Sequence, residues 1–287
     1  MTGGSIAGPS APEREVPVLR TAPARLVQAQ LVLAALVLVA GCTASSQAGP
    51  VTESGPAEAG PRLGQCRNLS ARDVDASSNA SPVVACTAKH TAETFVAGTF
   101  PAAVSAEGRT DPALGGFVYD RCQPRFRAFV GADDSLLLRS TLSWAWFRPS
   151  AAAWKAGQHT YRCDVTAGGA AKGTLATLPT SAEGLLLGKP DDRWLTCVDG
   201  PRVSGAAKIP CSSPHTWRAV TTIVLGAKDD PYPGDRLSEV RTRDYCSDSV
   251  GAWLNYPVDY DYGYTWFHAA EWKTGNRRSV CWARTTQ

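Results

Sequence analysis

Two short stretches combine a cysteine and a histidine at a spacing that thiol or metal chemistry can use. "CTAKH" runs from Cys86 to His90, and "CSSPH" runs from Cys211 to His215. A thiolate beside a histidine can act as a nucleophile when a third group, such as Glu93, orients the imidazole. The two thiolates and two imidazoles could also complete a four-ligand zinc site. The third interpretation is that each cysteine is half of a disulfide and each histidine caps its turn.

The N-terminal segment bears on this choice because it indicates the compartment. An arginine-containing stretch precedes an apolar run, 31–40, that ends in "VAGC" at Cys42. The run is short for crossing about 30 Å of hydrocarbon as a helix, and the layout is that of an export signal. "VAGC" resembles the lipobox of bacterial lipoproteins, which implies cleavage before Cys42 and a diacylglycerol on its sulfur. An uncleaved signal anchor is the alternative. Either way, we expect the remaining chain at the outer face of the cell membrane.

The cysteine count then favours disulfides. Nine cysteines less Cys42 leave eight, and an even number in an exported chain predicts a disulfide framework. No thiol would remain for a nucleophile or for zinc, so we expect no metal and no cofactor. These eight cysteines are Cys66, Cys86, Cys122, Cys163, Cys197, Cys211, Cys246 and Cys281.

The same landmarks occur twice along the chain, which indicates an internal duplication. Besides the two Cys-x-x-x-His stretches, "WKAGQHTYRC" ending at Cys163 recurs as "WKTGNRRSVC" ending at Cys281. "WAWF" and "YTWF" also correspond. The predicted organisation is a signal peptide at 1–41, a flexible tether at 42–62, unit 1 at 63–165, a linker at 166–184 and unit 2 at 185–287.

Each unit has the pattern strand, strand, helix, strands, which predicts an α+β fold with a small antiparallel sheet covered by one helix. The strands around each Cys-x-x-x-His turn suggest a hairpin. Asp111 and Pro112 are a suitable N-cap and first residue for the helix of unit 1. In unit 1, "LLLRSTLSWAW" is expected to be a half-buried strand with Leu136, Leu138, Leu142, Trp144 and Trp146 on one face. In unit 2, apolar periodicity places one helical face on Leu237, Val240, Tyr245, Val250, Trp253 and Leu254.

Four cysteines allow three connectivities in each unit. We favour pairs that tie the first strand to the hairpin, Cys66 with Cys86 and Cys197 with Cys211. The remaining pairs would then staple the helix to the sheet. They are Cys122 with Cys163, and Cys246 with Cys281.

The order of a cysteine, Cys-x-x-x-His, a helical cysteine and Trp-x-x-Gly…Cys resembles the septum-formation family of actinobacterial envelope proteins. The resemblance covers both units, as tandem copies. It implies an exported or membrane-anchored protein with a part in division-septum assembly, and it implies no particular chemistry. An acidic residue commonly follows the histidine in that family. Glu93 matches this pattern in unit 1, whereas unit 2 has Arg218 at the same place.

Unit 2 contains a tyrosine-rich stretch, "YPVDYDYGYTWF", that begins at Tyr256. Its tyrosines could stack on a sugar ring while carboxylates accept the hydroxyls, or they could contact a protein. Alternatively, the stretch is a hairpin whose tyrosines pack on the sheet. The candidate binding residues are therefore Tyr256, Asp259, Tyr260, Asp261 and Tyr262, together with the two turn histidines, His90 and His215.

The sequence thus predicts a non-catalytic, lipid-anchored binding protein of the cell envelope. Its partner would be an envelope or division protein or a wall polymer. A nucleic-acid partner is not expected, because the net charge is only +3 and the pI is near 8.4. The main alternative is a wall hydrolase that uses Asp259, Asp261 or His268. The third is a zinc-binding envelope protein that uses the Cys-x-x-x-His pairs.

Overall fold

A computed structural model of the chain describes residues 60–285. The predicted signal at 1–41, the lipidation site Cys42 and all but the last residues of the tether at 42–62 lie outside the described residues. Among the described residues, no helix is both long enough and apolar enough to span a membrane.

Unit 1 contains a five-stranded antiparallel sheet in the order β2-β1-β3-β5-β4. The longest helix of the unit, α3, packs on one face of this sheet. The elements are β1 (Cys66–Arg67), α1 (Ala71–Val74), β2 (Val83–Val84), β3 (Ala92–Thr99), α2 (Ala102–Ser105), α3 (Pro112–Val130), α4 (Asp134–Leu138), β4 (Leu142–Phe147), α5 (Ala151–Lys155) and β5 (Thr160–Ala167).

Unit 2 repeats this architecture with a second antiparallel sheet in the order β7-β6-β8-β10-β9. The order of strands along the chain is the same in both sheets, which confirms the predicted α+β class and the two-unit organisation of the fold. The elements are a 3-10 turn (Asp192–Trp194), β6 (Thr196–Val198), β7 (Lys208–Pro210), β8 (Trp217–Val224), α6 (Asp235–Trp253), β9 (Tyr262–Thr265), α7 (Ala269–Lys273) and β10 (Arg278–Arg284).

The predicted hairpin around each Cys-x-x-x-His turn is wrong. In unit 1, β1 lies between the two strands that flank the turn, because Cys66 is opposite Val84 on one side and Glu93 on the other. Unit 2 has the same arrangement, since β6 lies between β7 and β8. The turn therefore connects two strands that lie on opposite sides of β1 in unit 1 and of β6 in unit 2. The apolar patterns predict the flanking strands correctly. These strands pair with β1 or β6, which lies earlier in the chain, and not with each other.

Helix α3 begins as the sequence predicts. The Asp111 side chain accepts a hydrogen bond from the Ala113 N–H, and Pro112 is the first helical residue. Every fourth residue of α3 faces the sheet and is buried, so the helix contributes one stripe to the main core of unit 1. That stripe consists of Leu114, Val118, Cys122, Phe126 and Val130.

Helix α6 occupies the predicted segment but buries a different face. Its buried stripe is mostly small and polar: Ser238, Thr242, Cys246 and Val250. Of the predicted apolar face, only Val250 is fully buried. Leu237, Tyr245 and Trp253 remain 41%, 39% and 49% exposed. The disulfide at Cys246 turns that residue toward the sheet, and the residues four positions before and after it follow it inward.

The stretch "LLLRSTLSWAW" is also not one strand. Its first leucines form α4, which begins where the Asp133 side chain accepts a hydrogen bond from the Leu136 N–H at 2.7 Å. The strand β4 starts only at Leu142. In β4, Trp144 packs toward the core under α3 while Phe147 is buried on the opposite face. The sheet of unit 1 is therefore covered on both faces, not half-buried.

All eight cysteines of the described residues form disulfides. The bridges Cys66–Cys86 and Cys197–Cys211 connect the first two strands of each unit. The other two, Cys122–Cys163 and Cys246–Cys281, connect the long helix to the last strand. These are the pairs that the sequence favours.

The two units share buried surface. Trp194 of unit 2 is 3% exposed and belongs to the core of unit 1. Its carbonyl accepts a hydrogen bond from the Thr141 N–H at 2.9 Å. In the other direction, Leu138 packs on an apolar cluster of unit 2, and the Arg139 guanidinium donates to the Val220 carbonyl at 3.0 Å. The segment 166–184 that joins the units is packed as well, since its Leu178 is buried in the core of unit 1.

Glu93 and Arg218, the corresponding residues after each histidine, both bind segments that lie between the two sheets in the chain. The buried Glu93 carboxylate accepts hydrogen bonds from the Ala182 N–H at 2.6 Å and from the Ser181 hydroxyl at 3.1 Å. Arg218 donates to Asp192, and this hydrogen bond holds the pKa of the Asp192 carboxyl below its usual value. The residue at this position thus has a structural role in each unit, with opposite charge and a different partner.

Removal of the helix-to-sheet bridge in unit 1 should be strongly destabilising. The double variant Cys122→Ala/Cys163→Ala opens a loop with a sequence separation of 41, which the chain-entropy model values at about 4 kcal/mol. Urea denaturation of the double variant should show a loss of about 3 to 5 kcal/mol in the free energy of unfolding. A loss below about 1 kcal/mol would contradict a stapling role for this bridge.

Removal of the Glu93 carboxylate should loosen the junction between the units. Glu93→Ala leaves the buried Ala182 N–H without an acceptor, and such a group costs about 1 to 3 kcal/mol. Glu93→Gln keeps one acceptor oxygen and should lose less. Glu183→Ala removes an exposed carboxylate from the same segment and is the matched control. If Glu93→Ala and Glu183→Ala unfold at the same urea concentration, Glu93 does not hold the segment.

Candidate functional site

The two turn histidines are placed alike and neither lies at the surface. His90 is 0% and His215 is 3% exposed. Each ring donates from Nδ1 to the carbonyl oxygen two residues earlier, Ala88 or Ser213, at 2.8 Å. In the neutral ring Nε2 then carries a lone pair, and this atom is buried without a hydrogen-bond partner in both units. The histidines therefore cap their turns from inside and cannot touch a surface ligand in this conformation.

The Cys-x-x-x-His stretches do not assemble either of the alternative chemistries. Cys86 and Cys211 are bonded to Cys66 and Cys197, so neither sulfur is a free thiolate. Glu93 binds the junction segment rather than the histidine ring. Within residues 60–285, no group of three or more His, Cys, Asp or Glu side chains is placed to hold a metal ion.

The tyrosine-rich stretch begins at the carboxyl end of α6, where the chain reverses through two residues with left-handed backbone. Asn255 has φ 65° and Tyr256 has φ 49°. The Tyr256 N–H donates to the Gly251 carbonyl and the Asn255 N–H donates to the Ala252 carbonyl, which is the Schellman pattern of helix termination. Positive φ is rare for a large aromatic residue. The motif holds the Tyr256 ring outward, and this side chain is 63% exposed.

The next aromatic residues form a row along edge strand β9. Alternate residues point to one side of a strand, and neighbouring rings here have centroids 5.6 to 6.4 Å apart. The three tyrosines of this row pack against α6, where the Tyr260 hydroxyl donates to the Ser247 carbonyl at 2.7 Å. Burial and the nearby Glu239 carboxylate raise the pKa of the Tyr264 hydroxyl. The row consists of Tyr260, Tyr262, Tyr264, Trp266 and His268.

Gly251 makes the approach of Tyr260 to α6 possible. A Cβ atom at Gly251 would lie 2.7 Å from the Tyr260 hydroxyl oxygen, which is too close for any other residue without movement of the ring. Tyr260 and Tyr262 are consequently half-buried, as packed tyrosines of a sheet edge would be. Tyr256 and Asp259 remain exposed.

A shallow groove of about 540 Å³ lies where the tyrosine-rich stretch leaves α6. Asp261 on its wall forms an exposed ion pair with Arg284 at 2.7 Å. Asp259 makes no ion pair with another described residue. The groove could therefore offer one free carboxylate and one aromatic ring to a ligand. Its lining residues are Leu254, Pro257, Asp259, Tyr260, Asp261 and Arg284.

The three residues of the hydrolase alternative do not converge. His268 lies at the far end of the aromatic row, seven residues from Asp261, and an extended strand rises about 3.3 Å per residue. Its Nδ1 atom pairs instead with the Asp235 carboxylate at 2.8 Å. Hydrogen bonds from Tyr232 and His268 hold the pKa of Asp235 below its usual value. The carboxylates and the imidazole thus belong to different parts of the surface.

A second candidate site, which the sequence analysis did not identify, is an arginine-lined cavity in unit 1. Arg67, Arg148 and Arg162 contribute to its wall. The comparison of the two units in the sequence contains a signal for this site. When the units are aligned on their cysteines, Arg67 corresponds to Val198 and Arg162 corresponds to Val280. Arginines in one unit at positions where the other unit has valines indicate that the two units differ in function at this place.

Comparison with known proteins gives a match at the level of the protein family. The family model described as Septum formation matches residues 63–281. This is one continuous match that includes both units, rather than a separate match to each unit. No curated protein and no solved structure matches the chain. Since the matched region is most of the chain and contains both sheets, the chain belongs to the Septum formation family.

Proposed function

We propose that this protein is a non-catalytic, lipid-anchored binding protein on the outer face of the cell membrane. It would contribute to envelope or division-septum processes through a protein or wall-polymer partner. Family membership supports the process, and the export layout before Cys42 supports the location. The observation that carries the binding proposal is an exposed apolar surface at the carboxyl end of α6.

This surface, which we call the α6-end surface, consists of Trp253, Tyr256 and Val258. The three side chains are 49%, 63% and 100% exposed. Aromatic residues are enriched where proteins meet, and clustered exposed apolar side chains mark interaction sites. The Schellman turn fixes Tyr256 before any partner arrives, so that little ordering entropy is lost on binding.

A protein partner fits the α6-end surface better than a polysaccharide does. Sugar recognition combines a ring face with free hydrogen-bonding groups, but Asp261 is already paired with Arg284. Only Asp259 is left beside Tyr256 to accept hydroxyls. The fully exposed Val258 offers a sugar no hydrogen bond, whereas an exposed aliphatic side chain that follows two exposed aromatic residues in the chain suits a protein contact.

Support for the absence of catalysis comes from the same region. A hydrolase would need a general acid and a base or nucleophile around one bond. Asp261 is held by Arg284 and His268 by Asp235, at separate places on the surface. Both carboxylates of these pairs are exposed, with neither enclosed in a dry cleft.

The α6-end surface should cross-link to its partner in cells. A photo-reactive amino acid at position 258 should give a discrete adduct of defined mass with a protein partner, and a polydisperse smear with a wall polymer. Tyr256→Asn removes the ring but keeps a residue that tolerates positive φ. We expect this variant to reduce the adduct at least about tenfold, because aromatic anchors commonly contribute 2 kcal/mol or more.

Tyr119→Gln is the control, since it removes a 49% exposed tyrosine from α3 in unit 1. It should leave the adduct unchanged. Absence of any adduct at position 258, or equal loss in both variants, would count against this surface as the contact.

Cys42→Ala should release the protein from the membrane. Without the sulfur no diacylglycerol can attach, and stable anchoring depends on buried acyl chains. Membrane fractionation, together with labelling by an alkyne fatty acid, should show label and membrane association for the parent chain and neither for Cys42→Ala. The neighbouring Ser45→Ala is the control. A Cys42→Ala protein that stays with the membrane would instead indicate a retained signal anchor.

A further inference from the structure

Unit 1 contains a cavity of about 430 Å³ beside the end of β4 and the start of β5. Three arginines, Arg67, Arg148 and Arg162, line this cavity, and none of its lining residues is acidic. Neutral groups able to form hydrogen bonds, including Asn79 and Gln158, complete the polar part of the wall. The cavity thus presents concentrated positive charge in a partly enclosed space.

Of the two buried guanidinium groups, only that of Arg162 is bonded directly to a carboxylate. Asp164 is fully buried and accepts hydrogen bonds from Arg162 Nε at 2.8 Å and from the Thr94 hydroxyl at 2.7 Å. Arg67 reaches no carboxylate within residues 60–285, since its hydrogen bonds go to Thr94 at 2.9 Å and Gln65 at 2.8 Å. Burial, with repulsion from Arg162 as a further cause, lowers the pKa of Arg67. One positive charge of this buried pair is therefore uncompensated.

Arg148, which is half-buried, adds a further positive charge and forms no ion pair with another described residue. Its Nε atom is buried and has no hydrogen-bond partner, although buried donors in folded proteins are nearly always paired. The guanidinium lies 5.7 Å from the centroid of the Trp146 ring, which restricts its orientation. Burial and then repulsion from Arg109 lower the pKa of Arg148. Because Arg148 is one of the residues that line the cavity, an anion bound there could supply the missing acceptor.

Unit 2 shows that the fold itself does not require these charges. At the positions that correspond to Arg67, Thr94, Arg162 and Asp164, it has the residues Val198, Ala219, Val280 and Trp282. These form an apolar cluster on the same face of the second sheet. A buried ionic network is seldom more stabilising than apolar residues of similar volume. The charged version in unit 1 is thus better explained by binding than by stability.

We propose that the arginine-lined cavity of unit 1 binds an oxyanion, the carboxylate or phosphate group of a ligand. The planar fork of a guanidinium matches both groups in a bidentate geometry. Arg148 provides the free donor and Arg67 the excess buried charge, while Arg162 is held in place by Asp164 and by Asn79. This site is separate from the α6-end surface and does not depend on it.

Calorimetric titration of the full-length chain in detergent tests the proposal. Inorganic phosphate and N-acetyl-dialanine with a free carboxylate are the two anionic probes, and their relative affinity distinguishes a phosphate from a carboxylate ligand. At least one should bind saturably and shift the Arg148 Nε–H resonance. Arg148→Gln should weaken that binding about 10- to 100-fold, as expected for loss of a charge-assisted hydrogen bond.

Three controls make the outcome decisive. Arg148→Lys keeps the charge without the fork and should bind with intermediate affinity. Arg125→Gln removes an exposed arginine of α3 outside the cavity and should bind like the parent chain. The C-terminal amide of N-acetyl-dialanine is neutral and should not bind. The proposal is overturned if neither anion saturates, if the amide binds as well as the acid, or if Arg148→Gln and Arg125→Gln have equal affinity.

Discussion

The covalent link between the long helix and the last strand of each unit sets the arrangement of everything around it. Cys122 and Cys246 each stand at the middle of a buried stripe, and the residues four positions away on either side face the sheet with them. In unit 1 that stripe is large and apolar. In unit 2 it includes Ser238 and Thr242, so the larger side chains of α6, such as Trp253, are turned outward.

In each unit the long helix covers one face of the sheet. The residues on the opposite face differ between the two units. Unit 2 fills it with Trp282 and neighbouring apolar residues, to which unit 1 contributes Leu138. Unit 1 fills it with Arg67, Arg162 and Asp164, at the edge of an open cavity. The same scaffold thus carries a buried apolar cluster on this face of unit 2 and charged residues on this face of unit 1.

The sequence was sufficient for the features that depend on composition and repetition. Cysteine number and export layout predict the disulfides, the matched landmarks predict two similar units, and Asp111 predicts the start of α3. Apolar periodicity failed for α6 because a disulfide, not hydrophobicity, decides which face is buried. The arginine cavity depends on β1, β3 and β5 being neighbours, which joins residues 67, 94 and 162. Composition points to the tyrosine-rich stretch. The exposure of Tyr256 follows from the Schellman turn at the end of α6, which composition does not reveal.

The shared core between the units has a consequence for recognition. Because Trp194 is buried in unit 1 and Leu138 packs against unit 2, the two units cannot reorient freely without exposing apolar side chains to water. The cationic cavity and the α6-end surface are therefore held at a constant separation. A molecule that carries an anionic group and an apolar segment at that separation would make its second contact at high effective concentration. Selectivity for such a molecule would come from spacing, in addition to the chemistry of either surface.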